Sequence, residues 1–276
     1  KELLTVNDQS RSTAVHEARK HLKKVRALIR LLRPATGEAF YKDENAAMRK
    51  AAQRMSSIRD WHVRVQTIEK LTVKSGKRRT PVAFARIRTA VAARLCQVIE
   101  ESEKEDWSKQ AAVDIEGALG RIDKWPLKPL TTKSVRSGLK AACKKARRAL
   151  AVARRRATDA KLHELRKTVK DLWYHLRLLG GDRPAPIETL TKRLRDLGQK
   201  LGDDHDLAML LAARADNPLP EPADWETLEK ALASRRPRLQ RGALRLASKA
   251  LIRKPGALAD FVAGRWETWH SHRKKK

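Results

Sequence analysis

The sequence predicts an all-α protein, and three observations predict it. Ala, Leu, Arg, Lys and Glu fill the long stretches of the chain, and all five are good helix formers. Aromatic residues are only 4% of the total, and no stretch alternates apolar and polar residues as a half-buried strand does. Gly and Pro gather at a few points and divide the chain into helical segments.

Taken in order, Arg33-Pro34-Ala35-Thr36-Gly37 ends a first helix, and Ser75-Gly76-Lys77-Arg78-Arg79-Thr80-Pro81 separates a second from a third. Trp125-Pro126-Leu127-Lys128-Pro129 is the strongest interior boundary. Gly180-Gly181-Asp182-Arg183-Pro184 and Asn217-Pro218-Leu219-Pro220-Glu221-Pro222 break the second half. Lys254-Pro255-Gly256 precedes a terminal helix. Pro237 falls inside a helical pattern and is expected to kink it or start a new segment.

The 276 residues are 41% hydrophobic, enough for a core, yet 63 Lys and Arg against 32 Asp and Glu leave a formal charge of +31. Such an excess repels itself in a compact state, so a partner is expected to supply negative charge. Nucleic acid, an anionic membrane and a phosphate polymer all qualify. Cys96 and Cys143 form no CxxC pair, so neither a disulfide framework nor a zinc site is indicated. No apolar run approaches the roughly 20 residues of a membrane span, and Lys1 to Ser10 lack an apolar signal core. A reduced, cytoplasmic protein is expected.

The chain repeats itself. Val15-His16-Glu17-Ala18-Arg19-Lys20 is echoed by Leu162-His163-Glu164-Leu165-Arg166-Lys167, and both run on to a matching Lys, 23 and 170. Arg30-Leu31-Leu32 then matches Arg177-Leu178-Leu179. A second echo follows, Ile58-Arg59-Asp60-Trp61-His62 against Leu201-Gly202-Asp203-Asp204-His205. Two echoes in the same order argue for duplication of a helical unit, with halves at about 1–157 and 158–276.

On a helix at about 100° per residue, His16, Arg19, Lys20, Lys23, Arg26 and Arg30 share roughly a third of the circumference. Val15, Ala18, Leu22, Val25, Ile29 and Leu32 lie opposite. In the second copy His163, Arg166, Lys167, Lys170, Tyr174 and Arg177 make one face, and Leu162, Leu165, Val169, Leu172, Leu176 and Leu179 the other. Lys133, Arg136, Lys140, Lys144, Arg147 and Arg154 form a third stripe. Arg235, Arg238, Arg241, Arg245, Lys249 and Arg253 form a fourth. A single stripe reads as a solvated face. Four of them, mostly without i,i+4 acidic partners, read as a surface for a linear polymer of dense negative charge. Arg offers bidentate contacts to phosphate oxygens and Lys a mobile point charge. Of these cations, Arg19, Lys23, Arg166 and Lys170 are expected to face solvent.

His16 and His163 each open a stripe and suit a phosphate contact through a ring N–H. Neighbouring cations should lower their pKa and a bound phosphate should raise it. Asp203-Asp204-His205-Asp206 resembles a metal site, but consecutive carboxylates on a helix diverge, so no metal and no cofactor is expected. Asp60 and Asp203 are read as orienting basic side chains or satisfying helix ends. Trp61, Trp107, Trp125, Trp173, Trp225, Trp266 and Trp269 are read as packing.

The paired His-Glu-x-Arg-Lys segments, with basic residues following at helical spacing, resemble the CHAD domain, the conserved histidine alpha-helical domain. The likeness extends to Leu31-Leu32-Arg33-Pro34, to Ile58-Arg59-Asp60, to Leu197-Gly198-Gln199-Lys200-Leu201-Gly202-Asp203, and to Lys254-Pro255 with Phe261 and Trp266. It covers about residues 10 to 271. The resemblance implies two four-helix bundles related by a pseudo-twofold axis around a basic central channel. It also implies binding of inorganic polyphosphate and association with polyphosphate granules; some family members are fused to triphosphate-tunnel domains. By position His16, Arg19, Lys20, Lys23 and Arg30, with His163, Arg166, Lys167, Lys170 and Arg177, would line the channel. Three positions depart from the symmetry: Asp171 stands where the first copy has Lys24, Trp173 where it has Arg26, and Gly202 where it has Arg59.

The function expected is polyphosphate binding without catalysis. The residues assigned to it are His16, Arg19, Lys20, Lys23, Arg26 and Arg30, then Arg136, Lys140, Lys144 and Arg147. His163, Arg166, Lys167, Lys170 and Arg177 follow, with Arg238, Arg241, Arg245 and Lys249. Nucleic acid explains the charge equally well, but few aromatics are available for base stacking and no RNA-binding module is recognisable. A phosphoryl-transfer enzyme would need clustered acids for a metal or a phosphate-cradling glycine loop. Membrane binding is disfavoured because the apolar faces belong to a core.

Overall fold

In the computed structural model, residues 8–74, 82–127, 131–179, 184–216 and 221–274 are described. Among them every regular element is helical. The order is α1 (Asp8–Thr36), α2 (Glu38–Arg54), α3 (Ser56–Lys74), α4 (Val82–Lys104), α5 (Trp107–Leu119) and a 3-10 turn (Ile122–Lys124). Then follow α6 (Thr132–Arg155), α7 (Asp159–Leu179), α8 (Ala185–Asp216), α9 (Pro222–Leu232), α10 (Arg235–Ala250) and α11 (Pro255–Lys274).

The helix ends follow local chemistry. Gly37 takes φ +88°, a left-handed conformation that suits glycine, and its N–H reaches the Arg33 carbonyl at 3.0 Å. Pro34 therefore sits in the last turn of α1 rather than ending it outright. Thr131 caps α6 in a reciprocal pair with Ser134. Pro222 opens α9, and Pro237 lies in the first turn of α10, where its missing N–H costs no helical bond. The Ser75–Pro81 and Gly180–Arg183 breakers, with Lys128–Pro129 and Asn217–Pro220, fall outside the described residues.

Two boundaries differ from the sequence reading. The single helix expected between Gly37 and Ser75 is two, divided at buried Met55, with the Ser56 hydroxyl donating to the Gln53 carbonyl at 2.7 Å. Asp106, at φ 49°, separates α4 from α5. Neither break carries Gly or Pro.

Two compact units interleave along the chain. Unit 1 takes Lys1–Leu22, Ala47–Gly120 and Asp203–Arg238; unit 2 takes Lys23–Ala46, Arg121–Gly202 and Leu239–Lys276. Each draws on chain before and after residue 158, so these units partition the chain differently from the sequence repeat.

In unit 1, α3 lies against α4, which also carries α9. Met55, Ile58, Ile68, Ile87, Val91 and Trp225 are at most 1% exposed there. In unit 2, α6 packs on both α7 and α11. Its core joins Leu139, Cys143, Leu165, Val169, Leu172, Leu176, Leu194 and Ala259. All six apolar positions assigned to the inner face of α7 are buried, as are Val15, Leu22, Ile29 and Leu32 of α1. Trp61, Trp107 and Trp225 are core residues, in agreement with their reading as packing.

One close approach controls unit 2. A Cβ on Gly138 of α6 would sit 2.2 Å from the Leu31 carbonyl oxygen of α1. Gly138→Ala should cost about 1–3 kcal/mol through overpacking. Gly242→Ala, where nothing lies within 4 Å, should instead stabilise by about 0.5–1 kcal/mol through helix propensity. Urea unfolding of both variants measures the contrast.

Candidate functional site

Unit 2 gathers cations on α7 and on the part of α1 that belongs to it. His163, Arg166 and Lys170 are half-buried, while Lys167 and Arg177 are exposed. Across α7, α8 presents glycine where a side chain would intrude. A Cβ on Gly198 would lie 3.1 Å from Lys170 Cδ, and one on Gly202 3.5 Å from Arg166 Nε. Two glycines one turn apart thus leave room for two cations one turn apart. This explains why Gly202 departs from Arg59 of the first copy.

Trp173 organises the other side. Lys170 Nζ lies 4.4 Å from its ring centroid and the Arg177 guanidinium carbon 4.8 Å. Tyr174, assigned to this face, is 7% exposed; its ring lies 5.8 Å from Lys170 Nζ and tilts against Trp173 at 4.8 Å. Burial pushes its phenol pKa up, opposed by Arg177 and Arg166.

The electrostatics follow from this crowding. Burial, then Arg166 and Arg177, lowers the Lys170 pKa. Burial, then Arg166 and Lys167, lowers that of His163, and Lys23 of α1 adds to the effect against the opposing Glu164. The expected depression at His163 is therefore present, with burial as its leading cause. Arg166 Nε is buried and has no acceptor among the described residues. Arg30 and Arg26 are engaged: Arg30 binds Asp171 at 2.8 Å and Arg26 donates to Asn45 at 3.1 Å.

Unit 1 holds the first copy's opening residues. His16 is exposed, and Arg19 and Lys20 are half-buried. Arg19 donates from Nη1 to the Ala52 carbonyl, while its Nε is buried without an acceptor among the described residues. Burial lowers its pKa, opposed by Asp60 and reinforced by Arg59, although a guanidinium stays protonated. Asp60 acts the same way on Arg59 and Arg64, so it does favour charged basic neighbours as the sequence suggested. Arg64 donates to the Met209 carbonyl at 3.1 Å and lies 4.2 Å over Trp61.

Positions that echo each other in the sequence make like contacts. Lys20 binds Glu17 at 2.6 Å, and Lys167 binds Glu164 at 2.6 Å, each at i,i+3. Arg19 and Arg166, at matching positions, share the buried, unaccepted Nε.

One expectation needs correction. Arg19, Lys23, Arg166 and Lys170 were expected to face solvent, and Lys23 does, yet Arg19, Arg166 and Lys170 are half-buried, as are Lys20, Arg26, Arg30, Lys140 and His163. Where stripe cations meet acids they do so at i,i+3, as Lys20 with Glu17 and Lys167 with Glu164, or from distant sequence, as Arg30 with Asp171 and Arg136 with Asp260. On α6, Arg136 pairs with Asp260, Arg147 donates to the Ile252 and Arg253 carbonyls at 3.3 and 2.8 Å, and Lys144 is exposed. Arg238, Arg241, Arg245 and Lys249 of α10 are exposed, as is Lys23. Sequence reasoning missed Arg236, which binds buried Asp204 at 3.0 Å, and Arg64. Arg64 was signalled by its place beside Asp60; Arg236 carried no signal, because it lies off the α10 stripe.

Asp204 thus serves an ion pair, and among the described residues no group of three His, Cys, Asp or Glu converges as metal ligands do. No described helix is long and apolar enough to cross a membrane.

Fold and site together define an all-α protein with clusters of partly desolvated cations. A family model, the CHAD domain, matches residues 2–215, and the chain belongs to that family. No curated protein and no solved structure matches it significantly.

Two outcomes are expected of this site. By NMR titration His163 should show a pKa lower than that of a free imidazole in the unliganded protein and a higher one once a phosphate polymer is added, because bound anion favours imidazolium. Trp173→Leu should leave the fold intact and weaken polyanion binding by about three- to tenfold, the worth of one or two cation–π contacts, as read by direct titration.

Proposed function

We propose that this CHAD protein binds inorganic polyphosphate and holds it without turning it over. The observation that carries this reading is the cluster of His163, Arg166, Lys170 and Arg177. Burial and mutual repulsion disfavour positive charge at Lys170 and His163, and Arg166 Nε has no acceptor among the described residues. A closely spaced row of phosphates relieves all of these costs at once: it supplies counter-charge, accepts from the guanidinium, and needs no base-specific contact. The family is associated with polyphosphate binding. The equivalent Arg19 of unit 1, also desolvated, supports a second set of contacts. Accumulation at polyphosphate granules would follow from such binding.

The test is competition at about 150 mM salt, near physiological screening. Long-chain polyphosphate should displace a labelled RNA of similar total charge. Arg166→Gln with Lys170→Gln, and separately Arg19→Gln with Lys23→Gln, should each weaken polymer binding and reduce the salt slope by about one per lost contact. Circular dichroism confirms the fold, because Arg19, Arg166 and Lys170 are partly buried. With magnesium or manganese present, no sustained phosphate release should occur. Preferential retention of RNA would favour the nucleic-acid reading, and turnover lost on substituting His163 would make the protein an enzyme.

A further inference from the structure

A cavity of about 350 Å³ opens in unit 2 among α1, α2, α6 and α7. That volume lies in the range of small-molecule pockets. Only Arg30 belongs both to it and to the proposed polymer contacts.

Its walls divide chemically. Pro34, Tyr41, Gly138, Ala141 and Ala142 offer apolar surface. Arg30, Arg33 and Lys145 bring three positive charges, and Glu38 and Asp171 two negative ones. The carboxylates are already engaged: Arg33 Nε binds Glu38 at 2.6 Å and lies 4.6 Å over the Tyr41 ring, and Arg30 binds Asp171 at 2.8 Å. Lys145 has a longer contact, 3.5 Å to Glu164, and its side chain is 61% exposed. The wall therefore carries one positive charge in excess, with Lys145 as its least committed member.

His175, also in the wall, is 1% exposed. Its Nε2 is 2.8 Å from the Ala27 carbonyl oxygen, which only accepts, so the proton is on Nε2 and Nδ1 is a bare acceptor. Nδ1 is buried without a donor among the described residues. Burial holds this imidazole at about 4, so it is neutral at pH 7 and adds nothing to the charge count.

A phosphate chain alone would leave the apolar wall without a partner, and a hydrocarbon would strip water from the cations unrewarded. The occupant needs a single anionic group, a flat apolar body, and an N–H donor for the imidazole. We propose that this cavity binds a purine nucleoside monophosphate, with its phosphate at Lys145 and Arg30 and its base against Tyr41, Pro34 and the alanines of α6.

The test is calorimetric titration of the full chain with AMP in the absence of polyphosphate. One site is expected, with ribose 5-phosphate and adenosine each bound at least about tenfold more weakly, the worth of one lost half of the ligand. Ala141→Phe, at an exposed wall position, should fill the cavity and cost AMP at least about tenfold in affinity. It should leave long-chain polyphosphate affinity within about twofold, since no polymer contact changes. If that variant does not fold, Lys145→Glu replaces it, with the same loss of AMP expected. Ribose 5-phosphate binding as tightly as AMP, or AMP affinity unchanged in the folded variant, overturns the proposal. Failure of the wild type to bind polyphosphate would count against the polymer reading alone.

Discussion

A guanidinium or ammonium group taken partly out of water needs an acceptor or a counter-charge, and this chain has about half as many acids as bases. That shortage governs how the helices are used. Acids are placed where cations are most confined: Asp60 among Arg19, Arg59 and Arg64, Asp171 against Arg30, Asp204 against Arg236. Backbone carbonyls serve where acids run out, as for Arg147, and supplement them for Arg64. What is left under-compensated includes Arg166 Nε on α7 and Arg19 Nε on α1, each buried without an acceptor among the described residues. A site that costs free energy when empty gains most when an anion arrives.

The two copies of the repeated segment meet this constraint by different means. In unit 1, Arg19 sits beside Arg59 with Asp60 between charges of like sign. In unit 2 the corresponding second motif has no such pair; Gly198 and Gly202 withdraw from α7 and let Arg166 and Lys170 lie in the space. Trp173 then fixes Lys170 and Arg177 by its ring face rather than by an acid. A π-face holds a cation without neutralising it. The second copy therefore keeps more of its charge available than the first.

Much of the fold was legible because helices announce themselves by composition and end at Gly and Pro. The inner faces of α1 and α7 followed from periodicity alone. The breaks at Met55 and Asp106 were not legible, since neither carries a breaker; tertiary packing decides them. The cation stripes were legible as faces but not as environments. Half-burial of Arg166 depends on glycines some thirty residues away, and the partners of Arg30 and Arg136 lie 141 and 124 residues away. Tyr174 shares the face of Lys170, as the helical wheel has it, but its burial against Trp173 depends on packing that the wheel does not carry.

Asp171 shows how one substitution between copies divides labour along a helix pair. It occupies the position of Lys24, and burial raises its pKa while Arg30, Lys145, Arg26 and Lys167 pull it down. Four cations around one carboxylate keep the local charge positive while Arg30 is pinned at 2.8 Å. Arg30 is thereby committed to joining α1 to α7, and the contrast with Lys23 is direct. Lys23 stays exposed, and its charge reaches His163 on α7. A carboxylate at the far end of the stripe thus takes up Arg30, while toward the near end Arg166 Nε stays buried without an acceptor among the described residues.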